Sequence, residues 1–118
     1  LLAALKREGA NAAVTVVHTG VEDLGSFTRT ADVIVAAAGA PGVITADMVR
    51  PGSAVVAAGV TMAGRKVVSD VADEVAEVAG WLSPRIGGVG PMTRAMLLVN
   101  TVEAAARSVG IAGPTSDG

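Results

Sequence analysis

The sequence predicts an α/β fold built on a parallel, doubly wound sheet. Three observations carry that prediction. Strand-like and helix-like segments alternate along the chain. The strand candidates are continuous apolar runs, as parallel strands buried on both faces should be. The connections are short and punctuated by Gly and Pro.

The 118 residues suffice for one domain with a modest core, and with 51% hydrophobic but only 2% aromatic residues that core must be aliphatic. A net charge of -2 without a basic block argues against a nucleic-acid surface. With no cysteine and one histidine, neither a disulfide framework nor a zinc site is expected. Runs such as "VIVAAAGAPGVITA" fall short of the roughly 18 uninterrupted apolar residues of a spanning helix. No signal-peptide pattern is present, so a soluble cytoplasmic protein without a membrane partner is expected. The chain opens on Leu1 inside an amphipathic pattern, which reads as a fragment lacking its beginning.

In order, "LLAALKREG" reads as the end of a helix stopped by Gly9. "AAVTVV", residues 12–17, is a β-branched strand candidate. "HTG" is a tight loop and "VEDLGSFTRT" a short, weak helix. "ADVIVAAAG" is a second strand. "TADMVRPG" is a helical turn with Thr45 as N-cap and Pro51 as stop. "SAVVAAGV" is a third strand. "TMAGRKVVSDV" is an excursion turning at Gly64, and "DEVAEVAG" a short helix ended by Gly80. "WLSP" is a last short strand. "MTRAMLLVNTVEAAARSVG" is the longest helix, ended by Gly110. A domain over residues 1–110 and a disordered tail over 111–118 follow.

In such sheets ligands bind beyond the carboxyl ends of the strands. Loops 18–20, 39–42 and 59–62 belong there, joined by "RIGGVGP". Each carries glycine where backbone could approach a ligand, which points to a nucleotide site. The crowding of Gly87, Gly88, Gly90 and Pro91 before a strong helix needs a reason, because glycine costs roughly 1 kcal/mol in a helix relative to alanine.

At "ADVIVAAAGAPGVITADMVRPGSAVV", "SDV" and "GGVGPMTRAMLLVNTVEAA" the chain resembles the C-terminal half of bifunctional methylenetetrahydrofolate dehydrogenase/cyclohydrolase. "GGVGPMT" is specific to that family, the likeness covers residues 1–106, and "HTG" is similar to its actinobacterial branch. The resemblance implies a Rossmann-like NADP domain, here lacking its first strand and its Gly-Arg-Ser phosphate loop. It implies a separate N-terminal catalytic domain, a folate cleft between the two, and a homodimer. The reaction implied is oxidation of 5,10-methylenetetrahydrofolate and hydrolysis of the methenyl product to 10-formyltetrahydrofolate. Cofactor contacts implied are Thr19, Ala37, Gly39, Ala58, Gly59, Val60 and Thr93. Gly87, Gly88, Gly90 and Pro91 would pass beside the folate. No catalytic residue is implied here: the chain has no Tyr, and Lys6 and Lys66 match no catalytic position, so the isolated segment should be inactive.

Departures from the family pattern are Gly20, in place of a basic residue, which leaves NAD possible beside NADP, and Ala57, Thr61, Ser69 and Arg85. Arg85 puts a cation near the cleft. Several departures together leave open a degenerate, nonenzymatic Rossmann-like interaction module. A different dinucleotide enzyme is a third reading, against which "GGVGPMT" speaks. Without its first strand the sheet would expose an edge, so the lone chain should fold poorly or need a partner.

Individual residues carry plainer alternatives. His18 is a loop histidine bonded to backbone, or a cofactor contact. Asp70 is read first as a cap or turn residue, with loop orientation or substrate binding as the sharper alternative. Asp73, Glu74 and Glu77 form a solvated face. Met92, Met96 and the adjoining leucines are read as core, and Trp81 as a core or interface anchor. Arg94 is an exposed charge or reaches an anion.

Overall fold

The computed structural model describes residues 11–112. The helix expected over 1–9 and most of the expected tail, residues 113–118, lie outside them.

Asp23 opens the first element: its Oδ1 accepts the Ser26 N–H at 3.1 Å, satisfying a donor that the first helical turn leaves free. Helix α1 is correspondingly short, Gly25–Thr28. Strand β1, Val33–Ala36, pairs in parallel with β2, Ala54–Ala57, and β2 pairs in parallel with β5, Trp81–Leu82. The sheet has three strands in the order β1-β2-β5. The link from β1 to β2 carries a 3₁₀ turn, Ala46–Met48. Thr45 is extended at its N-cap position, but its hydroxyl donates to Asp47 Oδ1 at 2.5 Å and caps no backbone N–H.

Between β2 and β5 the chain makes an antiparallel hairpin of β3, Val60–Ala63, and β4, Lys66–Ser69. Its two-residue turn needs a positive φ, and Gly64 supplies +65°. A second 3₁₀ segment, Asp73–Glu77, leads to β5. The long helix α2 spans Val89–Ser108, and Gly110 follows with φ +72°.

The core lies on one face of the sheet: Ile34, Ala36, Val55 and Ala57 pack with Ile44, Val49, Val71 and Val75. Several expectations are corrected. Residues 12–17 form no strand, because no segment among the described residues offers them a ladder, and Val16 is 79% exposed. The strands are not buried on both faces: β1 alternates, with Val33 and Val35 exposed beside buried Ile34 and Ala36. No element among the described residues covers that second face. The same cause corrects α2, where Met92, Met96, Leu97 and Leu98 are exposed and not core. Trp81, 54% exposed, is not a core anchor, which leaves its interface alternative. No helix among the described residues is long and apolar enough to cross a membrane.

Candidate functional site

Beyond the carboxyl ends of β1 and β2 the chain continues into residues 37–42 and 58–60. The two segments meet directly, because the N–H groups of Ala58 and Gly59 donate to the Ala36 carbonyl at 2.9 and 2.8 Å. Both are also tied to Asp70, the residue after β4. The Asp70 N–H donates to the Gly59 carbonyl at 3.0 Å, and the Asp70 carbonyl accepts the Ile44 N–H at 3.0 Å. Its carboxylate does more: Oδ2 accepts the N–H groups of Ala38 at 2.6 Å and Gly39 at 2.8 Å. One residue, fully buried, thus joins three stretches of the rim.

These carboxylate bonds run to residues far away in sequence, so Asp70 is a loop-orienting residue, and its reading as a cap or turn residue is corrected. Each charge-assisted hydrogen bond contributes about 1.5–3 kcal/mol. The other oxygen, Oδ1, is buried and has no hydrogen-bond partner among the described residues. An arrangement that leaves a carboxylate oxygen unsatisfied persists only where the surrounding contacts over-determine it.

Asp70 also explains a glycine. A Cβ at Gly59 would lie 1.8 Å from Asp70 Oδ2, so the carboxylate occupies the space of the missing side chain. Gly39 is needed for a different reason: its φ is +66°, and none of the described residues lies within 4 Å of where its Cβ would be.

A cleft of about 600 Å³ lies where β2 and β5 end, lined by Ala57, Val71, Leu82, Ser83, Arg85 and Ile86 among others. Buried Ser83 shapes it, its Oγ accepting the Ala57 N–H at 2.8 Å. Arg85 lines this cleft and pairs with Asp73, which lines it too.

The expected contact residues divide into groups. Ala37, Gly39, Ala58, Gly59 and Val60 are brought together at the rim. Thr19 is exposed in a separate turn, where Gly20 N–H donates to His18 Nδ1 at 3.1 Å. His18 is therefore bonded to backbone, as its plainer reading has it. Thr93 is exposed in α2 and its hydroxyl donates to the Val89 carbonyl at 3.0 Å, with no bond to the rim among the described residues.

The glycine-rich run before α2 resolves into distinct causes. Gly87 has φ +78°, and a Cβ on Gly88 would meet the Pro84 carbonyl oxygen at 2.2 Å. The helix begins at Val89, earlier than the expected start at Met92, so Pro91 falls in the first turn, where an N–H would lack an intrahelical partner anyway. Gly90 has open space around its missing Cβ and no positive φ, so nothing within the described residues requires it. Sequence reasoning missed the Arg85–Asp73 pair, the Ser83 bond and the strength of the Asp70 clamp. The one available signal was an aspartate directly after the apolar strand "KVVS".

Comparison with known proteins agrees with this architecture. The family described as tetrahydrofolate dehydrogenase/cyclohydrolase, NAD(P)-binding domain, matches residues 1–109. The bifunctional protein FolD of Syntrophotalea carbinolica is 59% identical over 105 residues, covering 89% of this chain and 36% of that protein. The chain thus spans about a third of the length of the curated relatives it matches. The bifunctional 5,10-methylenetetrahydrofolate dehydrogenase/cyclohydrolase of Thermoplasma acidophilum superposes with a TM-score of 0.77 at 39% identity, over 85% of this chain and 37% of that one. The Trypanosoma brucei dehydrogenase-cyclohydrolase, solved with NADP cofactor and inhibitor, gives a TM-score of 0.72 at 38% identity, over 83% of this chain and 36% of that one. A parallel sheet with its loops gathered at the carboxyl edge, matched along nearly its whole length, places the chain in the tetrahydrofolate dehydrogenase/cyclohydrolase family, as an NAD(P)-binding domain.

Proposed function

We propose that this chain is the cofactor-seating part of an enzyme that oxidises 5,10-methylenetetrahydrofolate to the methenyl form and hydrolyses that to 10-formyltetrahydrofolate. The observation that carries the reading is the gathering of residues 37–39 and 58–60 at the carboxyl edge of a parallel sheet, in a chain of this family. The rim fits a dinucleotide: Gly39 leaves open space for close approach, and main-chain groups surround it. Ala37, Gly39, Ala58, Gly59 and Val60 would hold NADP or NAD, with Thr19 and Thr93 reaching it from either side. When bound, the nicotinamide supplies the hydride acceptor.

The folate would pass Gly87, Gly88, Gly90 and Pro91. Open space at Gly90 supports that, since no contact within the described chain accounts for the glycine. The acid or base comes from a separate N-terminal domain, because this segment has no Tyr and Lys66 sits exposed on β4. The segment alone is inactive; the working protein is a cytoplasmic homodimer. A degenerate interaction module is the second reading, favoured by the Arg85–Asp73 pair standing on the cleft.

Titration of the chain with NADPH and with NADH, followed by nucleotide fluorescence, tests the first reading. Saturable NADPH binding without dehydrogenase turnover is the expected result. Failure to bind either dinucleotide would leave the second reading standing.

A further inference from the structure

We infer that Asp70 is a positioning residue for the dinucleotide: it presets the turn at Ala38 and Gly39 and withdraws that turn's N–H groups from the cofactor phosphates. This rests on the reading of the rim as the dinucleotide seat.

A turn of successive N–H groups beside a parallel sheet is a ready anion cradle. Here that cradle is already filled from inside, since Oδ2 of Asp70 accepts both the Ala38 and the Gly39 N–H. The two groups point at a fully buried carboxylate and are not available to an approaching phosphate. A dinucleotide lying along residues 37–39 therefore meets main-chain carbonyls and Cα atoms there. Its phosphates must find their donors elsewhere.

The clamp is built with few degrees of freedom. Asp70 is held by its own N–H to Gly59 and by its carbonyl to Ile44. The carboxylate is pressed over the bare Cα of Gly59, leaving Oδ1 without a partner among the described residues. Positioning of this kind matters because binding to a loop that must first be ordered is weakened by the ordering cost. A preset turn avoids that cost.

The test uses Asp70→Asn, which keeps the shape but replaces the charged acceptor by a neutral one, about half as strong. Three quantities are measured: urea unfolding midpoint, amide-proton shift and exchange of Ala38 and Gly39, and the NADPH Kd at a temperature where the variant is folded. The expected result is faster exchange at both amides and a Kd raised about tenfold. A purely structural aspartate would lower the midpoint and leave the Kd of the folded variant unchanged, which overturns the inference alone. If the parent chain binds no dinucleotide, the functional reading falls and takes the inference with it. Should the variant not fold, the parent chain decides. Amides of Ala38 and Gly39 that are shifted downfield and protected before NADPH is added support the preset turn. Amides that gain protection only with NADPH overturn it.

Discussion

Replacing Gly59 by Ala should be among the most damaging small changes available to this chain. The new Cβ would sit 1.8 Å from Asp70 Oδ2 and 2.3 Å from Cγ. Contacts that short cannot exist, so the carboxylate or the backbone must move. The carboxylate is fully buried and fixed by neighbouring main-chain bonds, so it cannot swing aside freely. Displacing it removes the bonds from Ala38 and Gly39, each contributing about 1.5–3 kcal/mol, and leaves a buried charge without its donors. A loss of about 3–5 kcal/mol is expected. That is a large share of the roughly 5–15 kcal/mol by which a domain is stable.

The double-mutant cycle isolates the cause. Asp70→Ala alone should lose stability through unsatisfied amides, but with the carboxylate gone the Gly59→Ala change has room. It should then add less than about 1 kcal/mol, giving a coupling of about 2 kcal/mol or more. The assay is urea unfolding of the chain and its three variants, compared by midpoint and slope. Additive losses, with coupling under about 0.5 kcal/mol, would refute the claim that the carboxylate is what forbids a side chain at position 59.

Three further outcomes are expected from the same unfolding assay. Ser83→Ala leaves the buried Ala57 N–H without its 2.8 Å acceptor and should lose about 1–3 kcal/mol. Gly64→Ala meets open space but a φ of +65°, so it should lose only about 1 kcal/mol, from backbone strain. Arg85→Ala breaks a pair whose side chains are 40% and 81% exposed and should change stability by less than about 1 kcal/mol, an effect that salt reduces further.

Much of the architecture follows from local rules. Apolar runs bounded by Gly and Pro placed β1, β2 and β5. The turn at Gly64 was legible because a tight turn demands a positive φ, but the two paired strands around it were read only as an excursion. The rim could be anticipated too, since parallel strands separated by crossovers gather their following loops at one edge. Residues 12–17 mark where the local argument stops. Their β-branched run has strand propensity, yet a strand exists only when a neighbour accepts its hydrogen bonds.

The amino-acid sequence by itself therefore determined the fold class, the order of β1, β2, β5 and the long helix, and the gathering of Gly-bearing loops at one edge of the sheet. It also determined the absence of cysteine chemistry. Only the tertiary structure decided what Asp70 does. A carboxylate that could equally have capped a turn instead reaches across more than thirty positions of chain to Ala38 and Gly39. Nor could spacing show that Gly59 is bare to make room for that carboxylate while Gly39 is bare to permit its φ. The physical reason is one of range. Backbone conformation and periodicity act over a few residues and can be read along the chain, whereas the partner of a buried charge is set by which loops the folded sheet brings together.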